Sequence, residues 1–183
     1  MTESALTRGW RLVRLDAARW LRPQEIGSIE DVSPMRLLKL IARHPPMRAM
    51  AWLRFGWTLR ELGVRGVPSL IQQRLLSRFG LEIEIGADIG GGLYIAHPVG
   101  CVLVAERMGE NISVISQVTF GTRNDARWPV IGDEAFFGVG CRVLGGIEIG
   151  RGALVGANAV VVSDVADGDT VVGIPARSTN VPS

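Results

Sequence analysis

The chain has 183 residues, 47% of them hydrophobic, with 20 basic and 18 acidic side chains and a formal net charge of +2. That length supports one compact core with room for a further helical segment, and no stretch approaches the apolar length of a transmembrane span. Two cysteines, Cys101 and Cys141, are too few for a disulfide framework, and two histidines, His44 and His97, are too few for a three-histidine zinc centre.

The small net charge hides two opposite halves. Residues 1–80 hold 14 basic and 6 acidic side chains, and residues 81–183 hold 6 basic and 12 acidic. The basic residues, all arginine except Lys39, are scattered among apolar ones, which argues against specific nucleic-acid binding. Arg8, Arg11, Arg14 and Arg19 interrupt the first stretch, so it lacks the apolar core of a signal peptide. The expectation is a cytoplasmic protein with free thiols. Trp10, Trp20, Trp52 and Trp57 with their interleaved arginines leave a peripheral contact with the inner membrane surface open, although helix and subunit packing explains them more simply.

Residues 1–80 are expected to form an N-terminal helical segment. Within it, residues 34–43 and 47–62 read as helices divided by Pro45-Pro46. The second carries Trp52, Phe55, Leu59 and Leu62 at spacings of three and four and stops at Gly63. A third helix is predicted over 69–79, released by Gly80, and the three are expected to cap one open end of the unit formed by residues 81–183. His44, before two prolines at a helix junction, reads as structural.

Residues 81–183 form a second unit with a hexapeptide period. Ile131, Phe137, Val143, Ile149, Val155 and Val161 recur every six residues, each followed four places on by Ala135, Cys141, Ile147, Ala153, Ala159 and Val165. Each hexad makes one short strand and one turn, so three hexads close a triangular coil that stacks on the next. Glycine after the corner residue, at 132, 138, 150 and 156, fits the tight bend. Backwards, Ile83, Ile89 and Ile95 keep the frame, Val102 comes one residue late, and Met108, Val114 and Phe120 follow by sixes. The spacing of eleven rather than six between Phe120 and Ile131 ejects residues 121–130 as a loop, a place where solenoids build binding faces. The fold class is therefore mainly β, a parallel β-helix behind a helical segment.

There is no glycine-lysine phosphate loop, and Gly150-Arg151-Gly152 lacks the sixth-position glycine of a dinucleotide fingerprint. His97, in Ile95-Ala96-His97-Pro98-Val99-Gly100, breaks the hexad pattern beside the register shift, where an irregular turn can aim a side chain outward.

These residues resemble the serine acetyltransferases and their polysaccharide-modifying relatives, including colanic-acid-type acetyltransferases, over about residues 31–180. The resemblance rests on Arg54-Phe55-Gly56, Ile89-Gly90-Gly91-Gly92 leading to His97, Val118-Thr119-Phe120-Gly121-Thr122, Leu144-Gly145-Gly146-Ile147-Glu148-Ile149-Gly150 and Gly173-Ile174-Pro175-Ala176-Arg177. It implies a left-handed coil, acetyl-CoA as co-substrate with no metal, and a homotrimer, with a dimer of trimers left open, whose active sites lie between subunits.

The resemblance also implies site residues. His97 matches the general base, and the acid that orients it falls at Glu82, with Glu84 as rival. Arg127 matches a carboxylate-binding arginine, and Asp31 a further acid that contacts a substrate amine. CoA is implied along Gly121, Thr122, Gly138, Val139 and Ala157. Three positions depart from the family: Ala96 replaces an acid, Trp128 replaces a loop histidine, and Leu154 replaces a lysine beside the CoA groove. Ala96 and Trp128 each take away a polar group that would meet the acceptor, and Trp128 is free to stack on a ring, so the expected acceptor is a sugar hydroxyl in exopolysaccharide biosynthesis. L-serine is the alternative, and a non-catalytic trimeric scaffold is the third reading.

Overall fold

A computed structural model describes residues 3–22, 26–124 and 126–180. Among these residues four α-helices precede the solenoid, α1 (Ala5–Leu21), α2 (Pro34–Arg43), α3 (Pro45–Glu61) and α4 (Val67–Phe79), with a 3-10 turn at Ile29–Asp31 between the first two. Of these, α1 has no counterpart among the helices expected from sequence. Its N-cap is Ser4, whose hydroxyl accepts from the Thr7 N–H at 3.2 Å, and its buried face includes Leu12, Val13, Asp16, Ala17 and Arg19. Two charges on that face break the apolar period by which helices are read.

Ser33 caps α2 in the same way, ahead of Pro34. Pro45 and Pro46 do not stand between helices as expected. They occupy the first turn of α3, where a missing N–H costs nothing. Gly80 ends α4 at φ +64°, a left-handed conformation that glycine adopts without strain.

The solenoid makes five coils. The first is β1 (Leu81–Ile83), β2 (Asp88–Ile89) and β3 (Tyr94–His97), and the second β4 (Cys101–Leu103), β5 (Arg107–Met108) and β6 (Ser113–Ser116). The third is β7 (Thr119–Gly121), β8 (Val130–Ile131) and β9 (Phe136–Phe137), and the fourth β10 (Arg142–Leu144), β11 (Glu148–Ile149) and β12 (Leu154–Val155). The fifth has β13 (Val160–Val161) and β14 (Thr170–Val172), and β15 (Arg177–Ser178) then folds back antiparallel on β14.

Coil upon coil, the strands form three parallel faces, in the orders β1-β4-β7-β10-β13, β2-β5-β8-β11 and β3-β6-β9-β12-β14. Each inward row is apolar. Ile83, Leu103, Phe120, Val143 and Val161 stack on one face, and Ile95, Val114, Phe137, Val155 and Val171 on another, all nearly or fully buried.

Two register expectations change. Leu103, not Val102, holds the inward row beside Ile83, because the turn after β3 takes two extra residues and the next hexad gives one back. Val165 bridges to Ile149 and so takes a corner row, which shortens the last coil. The corner glycines also serve a different purpose from the one expected. A Cβ on Gly138 would lie 2.7 Å from the backbone nitrogen of Ala157 in the next coil, and one on Gly132 2.8 Å from that of Arg151. Close stacking of backbones, rather than a positive φ, excludes side chains there.

The helices close the first coil. Arg54 on α3 donates to both carboxylate oxygens of Asp16 on α1, at 2.7 and 3.0 Å, and to the carbonyls of Ile89 and Gly90, at 2.9 and 2.5 Å. Asp16 in turn accepts from the Leu93 N–H at 2.9 Å. Arg19 reaches one coil further, donating to the Asn111 carbonyl and the Ser113 hydroxyl, both at 2.8 Å.

Candidate active site

His97 ends β3 with its side chain exposed, at the corner where the third face turns into the first. The chain is pinned there: the Cys101 thiol donates to the His97 carbonyl at 3.5 Å, and the Gly100 N–H donates to the Gly80 carbonyl at 2.9 Å. His97 pairs with Ser116 on β6. The ladder continues outward through the Gly140 N–H to the Ser116 carbonyl and the Asn158 N–H to the Val139 carbonyl, both 2.8 Å. One edge of the prism therefore carries His97, Ser116, Val139 and Ala157 on successive coils, with Gly138 beside them. Val139 is 42% exposed and Ala157 is exposed, so the edge is open to a long ligand.

Glu82 is exposed on β1, opposite Val102, and flanks the same corner from the first face; Glu84 is exposed two residues on. Among the described residues neither carboxylate hydrogen-bonds His97.

The remaining expected residues lie elsewhere. Gly121 and Thr122 stand at the far end of β7, at the next corner. The loop after them lies back on the fourth coil: a Cβ on Gly146 would sit 2.5 Å from that of Arg127, and the neighbouring Gly145 has φ +104°. Trp128 is 38% exposed. Within one chain, the edge of His97 and the corner of Arg127 and Trp128 are separate.

The helical half supplies the wall facing His97. A pocket of about 540 Å³ is lined by His97, Ala96, Trp20, His44, Arg48 and Arg78 among others. The Trp20 ring packs between His44, at 5.2 Å between centroids, and Tyr94, at 5.0 Å, which ties the helix junction to the strand that carries His97. A second pocket, of about 420 Å³, contains Asp31 with Arg22, Arg36, Lys39 and Arg43, and shares His44 with the first. His44, read from sequence as structural, thus reaches both. A lone histidine before two prolines carries no signal of this, because the pocket is assembled from α1, α3 and β3. Among the described residues no cluster suited to a metal ion occurs.

A stack of hexapeptide coils with an exposed histidine on one edge, walled by helices, defines a hexapeptide-repeat acyltransferase. The family model for bacterial transferase hexapeptide (six repeats) matches residues 129–163. The serine acetyltransferase of Bacillus subtilis (strain 168) is 43% identical over 162 residues, 84% of this chain and 74% of that one. The serine acetyltransferase of Helicobacter pylori (strain J99) is 32% identical over 155 residues, 81% of this chain and 90% of that one. In structure, the Neisseria gonorrhoeae serine acetyltransferase in complex with serine superposes with a TM-score of 0.77 at 31% identity, covering 94% of this chain and 71% of that one. The chain belongs to the serine acetyltransferase family, and it is an acyltransferase.

That membership overturns the expected sugar acceptor. The sugar reading rested on Ala96 and Trp128, two single positions, whereas identity to serine acetyltransferases extends through the helical half and the solenoid together. A methyl at 96 and an indole on an exposed loop change the lining of a site without naming what it holds.

Proposed function

We propose that the protein is a serine O-acetyltransferase, transferring the acetyl group of acetyl-CoA to the hydroxyl of L-serine. The observation that carries this reading is the edge on which His97 stands exposed, continued coil by coil by Val139 and Ala157, in a chain 43% identical to a serine acetyltransferase. His97 takes the hydroxyl proton as the serine oxygen attacks the thioester carbonyl. The tetrahedral intermediate collapses with loss of the CoA thiolate, which takes up a proton, giving O-acetylserine and free CoA. Glu82 orients the imidazole and offsets its charge.

CoA lies along the groove beside Gly138, Val139 and Ala157 of one subunit, and Gly121 and Thr122 complete it. Arg127 binds the serine carboxylate, Asp31 the ammonium, and Trp128 closes the acceptor side. A homotrimer brings these two corners together, since the corner of Arg127 in one subunit then meets the edge of His97 in another. Exposed apolar side chains support such contacts: Phe136 and Leu154 are neighbours on the outside of the third face, at 36% and 44% exposure.

The test is the product. With acetyl-CoA labelled with carbon-13 at the carbonyl and L-serine as acceptor, NMR should show the label as an ester on the serine oxygen. Label appearing only as acetate would sink the assignment.

A further inference from the structure

The pocket in front of His97 is unbalanced in its polar groups. Arg48, Arg78 and the Trp20 indole can only donate, and Arg48 is already committed, through Nε at 3.1 Å and one Nη at 2.8 Å, to the carbonyls of Ile41 and Ala42. Ala96, Pro45, Pro46, Phe79, Pro98 and Val99 offer no polar side chain. Among the described residues lining it, only the two histidines can accept a hydrogen bond through a side chain, and on the proposed mechanism His97 is occupied with the acceptor hydroxyl.

His44 is half-buried, and its imidazole makes no hydrogen bond or ion pair to any described residue. Its position is fixed nonetheless. It closes α2 and opens α3, its N–H donating to the Leu40 carbonyl at 2.9 Å, and its ring packs on Trp20. It also borders the pocket of Asp31, the one carboxylate among the described residues lining either cavity.

From this geometry we propose that His44 is a specificity-determining residue that accepts a hydrogen bond from the ammonium group of the acceptor amino acid, between Asp31 and His97. The inference rests on the serine reading above and deepens it. Apart from its histidines the described wall only donates, which repels or ignores an ammonium, and one imidazole nitrogen of His44 supplies an acceptor beside Asp31.

Three substitutions test it, assayed by thiol release from acetyl-CoA with L-serine varied. His44→Phe keeps the ring packing on Trp20 and removes both nitrogens, so it should raise KM for serine about tenfold while kcat and KM for acetyl-CoA stay within about twofold. His44→Gln, which retains an acceptor, should recover most of that loss. His44→Arg places a cation against the ammonium and should raise KM above that of the Phe variant. An unchanged KM in His44→Phe, or a lower KM in His44→Arg than in His44→Phe, overturns the assignment. A native protein without serine-dependent release would instead sink the proposed function, so the two failures are distinguishable.

Discussion

Burial pushes the Cys141 thiol up to about 12 and raises that of Cys101 too, since neither sulfur has water to solvate a thiolate. Both should resist a disulfide reagent at pH 8 in the native protein, with two thiols reacting once it is denatured; rapid reaction of the native protein would contradict the packing. The folded state holds the Cys141 proton to about 12, whereas the unfolded thiol loses it near its ordinary value of 9.0. Stability from this group is complete below pH 9 and is lost as pH rises through about 12. Denaturant midpoints taken from about pH 8 upward should therefore fall, and Cys141→Ala should flatten the decline.

The joint between helices and solenoid includes a buried ion pair, with the Arg54 side chain 2% exposed and that of Asp16 0%. Removing one partner strands a charge and leaves the carbonyls of Ile89 and Gly90 without their donor. Arg54→Met should cost about 3–5 kcal/mol in urea denaturation. A loss below about 1 kcal/mol would show that the cap is held without this pair, by apolar contacts and the Arg19 hydrogen bonds. This pair also explains what was and was not legible in the sequence. The six-residue period exposed the coils because every inward row repeats locally. α1 stayed hidden because Asp16 and Arg19 sit on its buried face, and their partners, Arg54 and Ser113, lie far along the chain. Leu103 was missed because a two-residue surplus after β3 and a one-residue deficit before Met108 look, from sequence, like a single slip at Val102. The exposed position of His97 at a corner was legible because it interrupts a regular pattern, whereas His44 interrupts none and lines a pocket only when α1, α3 and β3 pack together.

At the scale of the molecule, the solenoid separates the pieces of the proposed site onto two corners of one prism, and the proposed homotrimer would reunite them. Light scattering should give three times the chain mass at micromolar concentration, or six if two trimers pair; a monomer with full activity would contradict a shared site. Membership of the serine acetyltransferase family is readable from short motifs spread over both halves, whereas the sugar acceptor expected from Ala96 and Trp128 is overturned by similarity along the rest of the chain.

The most direct measurement is thiol release from acetyl-CoA as L-serine is added, for the native protein and for His97→Ala. Serine-dependent release should fall about 10²–10⁴-fold in the variant while CoA binding by calorimetry is retained. Release that does not depend on serine, or that survives loss of the His97 imidazole undiminished, would contradict the account.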